Sequence, residues 1–204
     1  MNKTEKALKE QKFVIPYSAA YIKYMLLAEE SIILANEERM DNYEDTDCDL
    51  EIREQIDSAV SEDDYFKLMR KQMCAKNKKL LHDRLLENED TVTDMILIKL
   101  KTTMKDEFVE ASVDFLCECS EDHCEWILKN YDEIRNPYAR SMLCLVFGFR
   151  GDEQYVPFLS AKREEFLKNY PGETFEQGAS ISLCMLQGQK EYLHSFVEGQ
   201  SEGR

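Results

Sequence analysis

The sequence predicts an all-α fold: antiparallel helix pairs repeated in a curved array, behind a helical N-terminal extension. Three observations carry this reading. All seven glycines lie between Gly148 and Gly203, so the first 147 residues hold none. β-Hairpins depend on glycine at positive φ, and a glycine-free stretch of that length reads as helices joined by polar turns. Apolar residues recur at helical spacing through most of the chain. The C-terminal half also repeats itself.

With 204 residues and 24.0 kDa the chain has the size of one domain. Residues 1–88 are expected to form the helical cap or extension and residues 89–204 the repeats, in one continuous domain. Pro16 to Met40 opens with a proline and carries a wide apolar stripe (Ala20, Ile22, Met25, Leu26, Ile32, Ile33) that predicts a helix. The acids of 41–49 break it, and a short helix near 50–60 follows. Asp45-Thr46-Asp47-Cys48-Asp49 has the opening of an EF-hand calcium loop, but Leu50 stands where glycine is required and Ile56 where the bidentate glutamate is. It is expected to be a solvated acidic loop. Ser61, with Glu62, Asp63 and Asp64 behind it, is an N-cap with acids in the first turn, and predicts one long helix to about Leu86. Further helices are expected over 91–104, 106–118, 121–134, 137–149, 152–170, 174–187 and 190–197.

A shift of 37 residues lays Gly151-Asp152-Glu153-Gln154-Tyr155-Val156 on Gly188-Gln189-Lys190-Glu191-Tyr192-Leu193. The same shift pairs Tyr138 with Phe175, Met142 with Ala179, Val146 with Leu183 and Phe149 with Leu186. A shift of 31 pairs Leu116 with Phe147, Cys124 with Tyr155 and Leu128 with Leu159. A helix pair cannot bury both its apolar faces alone, so such units stack on one another.

The stretch Asn136-Pro137-Tyr138-Ala139-Arg140, then Gly148-Phe149-Arg150-Gly151-Asp152, then Val156-Pro157-Phe158-Leu159, resembles a HEAT repeat. The resemblance implies that Pro137 opens the second helix of a unit, that Gly148 to Asp152 make its closing turn, and that Arg140 and Asp152 hold turns and neighbouring units together. The next unit departs from the pattern, with Gln177, Met185 and Gln189 in the places of Arg140, Gly148 and Asp152. The resemblance speaks to fold; function has to be argued from a site.

Asp+Glu 41 against Lys+Arg 26 leaves a net charge of −15, which repels phosphate backbones and anionic lipid. A nucleic-acid or membrane-surface partner is therefore not expected, and a basic protein is. The polar stretch Met1 to Gln11 has no apolar run of signal-peptide length after it, and seven cysteines in irregular spacing read as reduced thiols. A cytoplasmic location follows as an expectation. Charge is unevenly spread: residues 41–64 hold eleven acids and one arginine, whereas residues 65–84 hold seven Lys/Arg and one acid. Neighbours of opposite sign in sequence are expected to neutralise each other in part.

No Gly-x-Ser-x-Gly, phosphate-loop, dinucleotide or His-Glu-x-x-His motif occurs, so no catalytic residue and no cofactor is assigned. On the expected helix over 106–118, Glu107, Glu110, Asp114 and Glu118 fall on one face, opposite Phe108, Val109, Val113 and Leu116. If this is the second helix of its unit, the resemblance puts these acids on the concave side. They are the expected partner-binding residues, with Glu173 and Glu176 of a later unit. The expected function is a non-enzymatic protein-binding module, concretely an inhibitor or immunity-type protein for a basic partner. The other reading is a metal-dependent protein or enzyme using Cys117, Cys119, His123 and Cys124, a donor set suited to zinc. Its spacing favours core thiols flanking a turn, because Cys117 continues the stripe of Val109 and Val113 while Cys124 starts that of Ile127 and Tyr131.

Overall fold

The computed structural model describes residues 43–150 and 153–186; the expected helices over 16–40 and 190–197, and Gly151 and Asp152, lie outside them. The described chain is all helix and turn, with no strand among the described residues. The helices are α1 (Asp47–Asp57), α2 (Glu62–Leu68), α3 (Ala75–Glu87), α4 (Glu89–Leu100), α5 (Asp106–Glu118), α6 (Cys124–Asn130, continued by a 3-10 turn Tyr131–Glu133), α7 (Pro137–Arg150), α8 (Val156–Asn169, preceded by a 3-10 turn Glu153–Tyr155) and α9 (176–186).

Two of the acidic stretches turn out to be helix starts. Thr46 caps α1 in a reciprocal box: its hydroxyl accepts from the Asp49 N–H at 3.2 Å, and Asp49 Oδ2 accepts from the Thr46 N–H at 3.0 Å. The segment expected to be an acidic loop therefore runs into the first turn of α1, where Asp47 and Asp49 face the positive end of the helix dipole. Ser61 and Asp64 build the same box at α2, as Ser61 predicts.

The long helix expected from Ser61 to Leu86 is instead two, broken over residues 69–74 without a glycine or proline. The reason is phase. Tyr65, Leu68 and Met69 are buried from α2, and continuing that stripe would turn Gln72, Lys76, Lys79 and Asp83 inward. Restarting at extended Cys74 rotates the face, so that Asn77, Leu81 and Leu85 are buried instead.

Alternate helices pack side by side: α1 on α3, α3 on α5, α5 on α7, and α2 on α4. Contacts of α1 with α2, α3 with α4 and α6 with α7 join the two rows, around one core that runs from Ile52 to Leu186. Phe108, Val109, Val113 and Leu116 of α5 are buried as expected, and Cys124, Ile127 and Tyr131 form a buried stripe. Polar side chains tie helices that are not adjacent in sequence. Glu89 at the start of α4 accepts from the Ser120 N–H at 2.9 Å, and Lys101 donates to Asn130 and Glu133 across 2.7 and 2.9 Å. Arg150, the last residue of α7, donates to the carbonyl oxygens of Leu116, Cys119 and Glu121 at the α5–α6 corner.

Beyond α8 the chain turns through Gly172, whose φ of +95° is open to glycine without strain. It then lays α9 directly on α7. A Cβ added to Gly178 would lie 1.9 Å from the Ser141 carbonyl oxygen, and one on Gly148 would lie 2.9 Å from the Ser182 Cα. Gly148 is thus a close-approach residue inside α7, not part of the turn that the repeat resemblance implies. Met185, its counterpart at the 37-residue shift, brings its sulfur to 3.1 Å from that same point. The paired Phe149 and Leu186 also part ways, since Phe149 is exposed and Leu186 buried.

Candidate acidic groove

α5 lies between α3 and α7, and its solvent side carries the expected acids. The floor of the α3–α5 junction is apolar, with Leu81 and Leu85 from α3, Met69 and Met73 from the preceding turn, and Ala111 from α5. It encloses a slot of about 50 Å³ whose rim is charged: Glu107, Glu110 and Asp114 from α5, with Lys78 and His82 of α3 opposite and Lys71 from the preceding turn. Helical spacing creates this facing pair of rows, because 107, 110 and 114 recur on one face of α5 as 78 and 82 do on α3.

The four acids of the strip are not equivalent. Glu110 reaches Lys78 at 3.4 Å and accepts from the Tyr138 hydroxyl of α7 at 3.2 Å. The Lys78–Glu110 pair is wide and well exposed at both ends, so water and salt screen it. Glu118 sits beyond the slot, 3.1 Å from His82 Nε2. Glu107 and Asp114 have no ion pair among the described residues. Asp114 is exposed at its tip, yet partial loss of solvent raises its carboxyl above the ordinary carboxylate range; His82 pulls it down and Glu110 pushes it up. Three carboxylates of the slot, with Glu118 just beyond it, thus face two lysines and one histidine.

Glu173 and Glu176 are not brought to this groove. Glu173 is in the turn before α9 and Glu176 in its first turn, and α7 stands between α9 and α5.

Of the cysteine cluster, Cys119, His123 and Cys124 are buried and Cys117 is half-buried. Cys124 is fully buried at the start of α6, and Cys119 is buried with its thiol donating to the Glu121 carbonyl at 3.3 Å. Burial pushes the Cys117 thiol up to about 12, and raises Cys119 and Cys124 as well. Among the described residues, no three His, Cys, Asp or Glu side chains converge in a way that could hold a metal ion.

Arg140 holds neighbouring helices, donating to the Tyr170 hydroxyl at 2.9 Å and pairing with Glu165 of α8 at 3.4 Å. Sequence reasoning missed two polar anchors. Asn77 is buried and donates to the Asp49 carbonyl at 2.8 Å, while Arg53 Nε donates to its Oδ1 at 3.3 Å; its spacing with Leu81 and Leu85 was the available signal. The Arg150 clamp has no sequence signal, since its acceptors are backbone oxygens.

No helix among the described residues is long and apolar enough to cross a membrane. Comparison with known protein families, curated proteins and solved structures finds no match to this chain.

Proposed function

We propose that the chain is a HEAT-like, non-enzymatic protein-binding module that works in the cytoplasm and holds a basic partner protein on its α3–α5–α7 face. The observation that carries this reading is the acid-rimmed slot over an apolar floor, with Asp114 unpaired beside it. An arginine or lysine is amphipathic: its aliphatic stem suits Leu81, Leu85 and Met73, and its cation suits Asp114 and Glu107. Such an anchor is a common hot spot of protein interfaces. The arriving cation also relieves the carboxylate crowding around Asp114 and displaces only the screened Lys78–Glu110 pair. Alternate helices in a row are what a curved helix-pair array requires, and on its concave side the strip would line the partner's path. Glu173 and Glu176 would be a second, separate contact. An inhibitor of immunity type is one concrete form, because strong opposite charge speeds encounter.

The test is capture of a partner from a lysate of the native source at low and high salt, with the variant Glu107→Lys/Asp114→Lys beside the parent protein. The expected partner is basic, releases as salt rises, and is lost from the variant. A partner that binds both proteins equally, or recovery of none that responds to salt, overturns the proposal.

A further inference from the structure

The basic stretch over 65–84 is only half neutralised by its neighbours. Of its later residues, Lys76 donates to the Tyr43 carbonyl and three find carboxylates: Lys78 meets Glu110, Lys79 meets Asp83 at 2.9 Å, and Arg84 meets Asp57 and Glu87 at 3.2 and 2.8 Å. Its earlier residues do not. Lys67 in the last turn of α2, and Arg70 and Lys71 just after it, make no ion pair among the described residues. All three line one cavity of about 510 Å³, and Lys105, likewise without an ion pair, joins them from the residue before α5. Four cations therefore converge from separate stretches of a chain whose net charge is −15. Like charges brought together repel, and no contact within the described fold requires these four to meet.

The cavity has the features of a binding site. Lys71 is held in place by donating to the Gln55 side-chain oxygen, a neutral acceptor that leaves it without an ion pair among the described residues. Arg70 stacks its guanidinium on the Phe66 ring with 5.0 Å to the centroid, which holds it in place without a counter-charge. The one acid in the lining is Asp64, which caps α2 through the Ser61 N–H and hydroxyl and offsets one of the four cations, leaving the lining with an excess of three positive charges. Leu68 and Ala59 supply apolar wall. The volume lies in the range of small-molecule sites, roughly 300–1,000 Å³.

We propose that this cavity, between α1, α2 and the start of α5, binds a small ligand carrying two or more linked phosphate groups. Several separate cations call for several negative charges in a compact body, and phosphoryl oxygens offer three acceptors per group to lysine and bidentate geometry to arginine. The cavity and the acidic groove share only Lys71, so the two sites stand or fall separately.

Calorimetric titration of the full chain with inorganic triphosphate, inorganic phosphate and a poly-glutamate peptide, at ~0.1 M salt, tests it. Triphosphate is expected to saturate one site per chain, binding at least about tenfold more tightly than phosphate. Lys67→Gln/Lys105→Gln is expected to weaken it by about tenfold or more, and the exposed Lys129→Gln to leave it unchanged, with superimposable circular dichroism for all three proteins. Triphosphate that fails to saturate, or that binds the double variant as well as the parent, overturns the proposal. So does poly-glutamate binding more tightly than triphosphate through the same two lysines, which would give the cavity to an acidic protein segment.

Discussion

The α1–α3 and α7–α9 contacts join helices that are next neighbours in the same row, yet different physics holds each. At the N-terminal contact the helices stay far enough apart for side chains to lie between them. Asn77 bridges to the Asp49 carbonyl and to Arg53, and Arg53 in turn grips Asp45 through two bonds of 2.8 and 2.9 Å. At the C-terminal contact Gly148 and Gly178 remove the side chains altogether, and the Ser182 hydroxyl reaches the Cys144 carbonyl at 2.7 Å. A polar spacer tolerates change in volume and fails when a hydrogen bond is lost. A backbone contact fails on the addition of a single carbon.

The largest effect is therefore expected at Gly178. Gly178→Ala puts a methyl group 1.9 Å from a backbone oxygen that cannot swing aside, and should cost about 3 kcal/mol or more despite alanine's better helix propensity. Gly148→Ala, whose nearest atom is 2.9 Å away, should cost clearly less; urea unfolding of the two variants gives the ranking. Equal, negligible losses would show that α9 does not pack this closely.

Next comes Asn77→Ala. It removes the buried bond to the Asp49 carbonyl and the part-buried bond from Arg53 Nε, and should cost about 1–2 kcal/mol by the same measurement. Asn77→Asp should also destabilise, by losing the amide donor.

A third expectation separates the two ends by pH. The Thr46 hydroxyl and N–H hold the Asp49 carboxyl at about 2, below its ordinary 3.8. A depressed folded-state value contributes stability above 3.8 that disappears as pH falls through about 2. Thr46→Val removes the hydroxyl donor, so acid unfolding followed by circular dichroism should move to higher pH. The α7–α9 contact has no such group, and Gly148→Ala should leave the shape of the acid limb unchanged.

The smallest effect is at Asp114, between the two ends. Its carboxyl is raised, so the folded state disfavours its charged form at neutral pH, and the cost is relieved as pH falls through the raised value. Asp114→Asn should change stability by no more than ~0.5 kcal/mol, on the stabilising side, while weakening capture of a basic partner. Loss of stability instead would mean that the carboxylate serves the fold.

How far the sequence was legible follows the same division. Absence of glycine before Gly148 marked the class, and serine followed by three acids marked the start of α2, because breakers and caps act through their own local backbone. The face of α5 was legible because period and burial agree there. The break at 69–74 was not, since it comes from a change of phase that suits a neighbouring helix. The role of Gly148 was misread because turn and close approach use the same residue. In the groove Glu107, Glu110 and Asp114 were legible as a strip, but that Lys78 and His82 would oppose them depends on α3 landing beside α5. Lys67, Arg70 and Lys71 sit at helical spacing, yet Lys105 joins them only in the folded chain.

Arg150 carries a consequence for biosynthesis. The α5–α6 corner is closed by a side chain 34 residues downstream of Leu116, the first carbonyl it holds. On the ribosome the Arg150 bonds to that corner cannot form until α7 has emerged in full, so the nascent chain up to α6 has only the Glu89 contact there. A stop codon anywhere before Arg150 would leave that corner held on the α4 side by Glu89 alone.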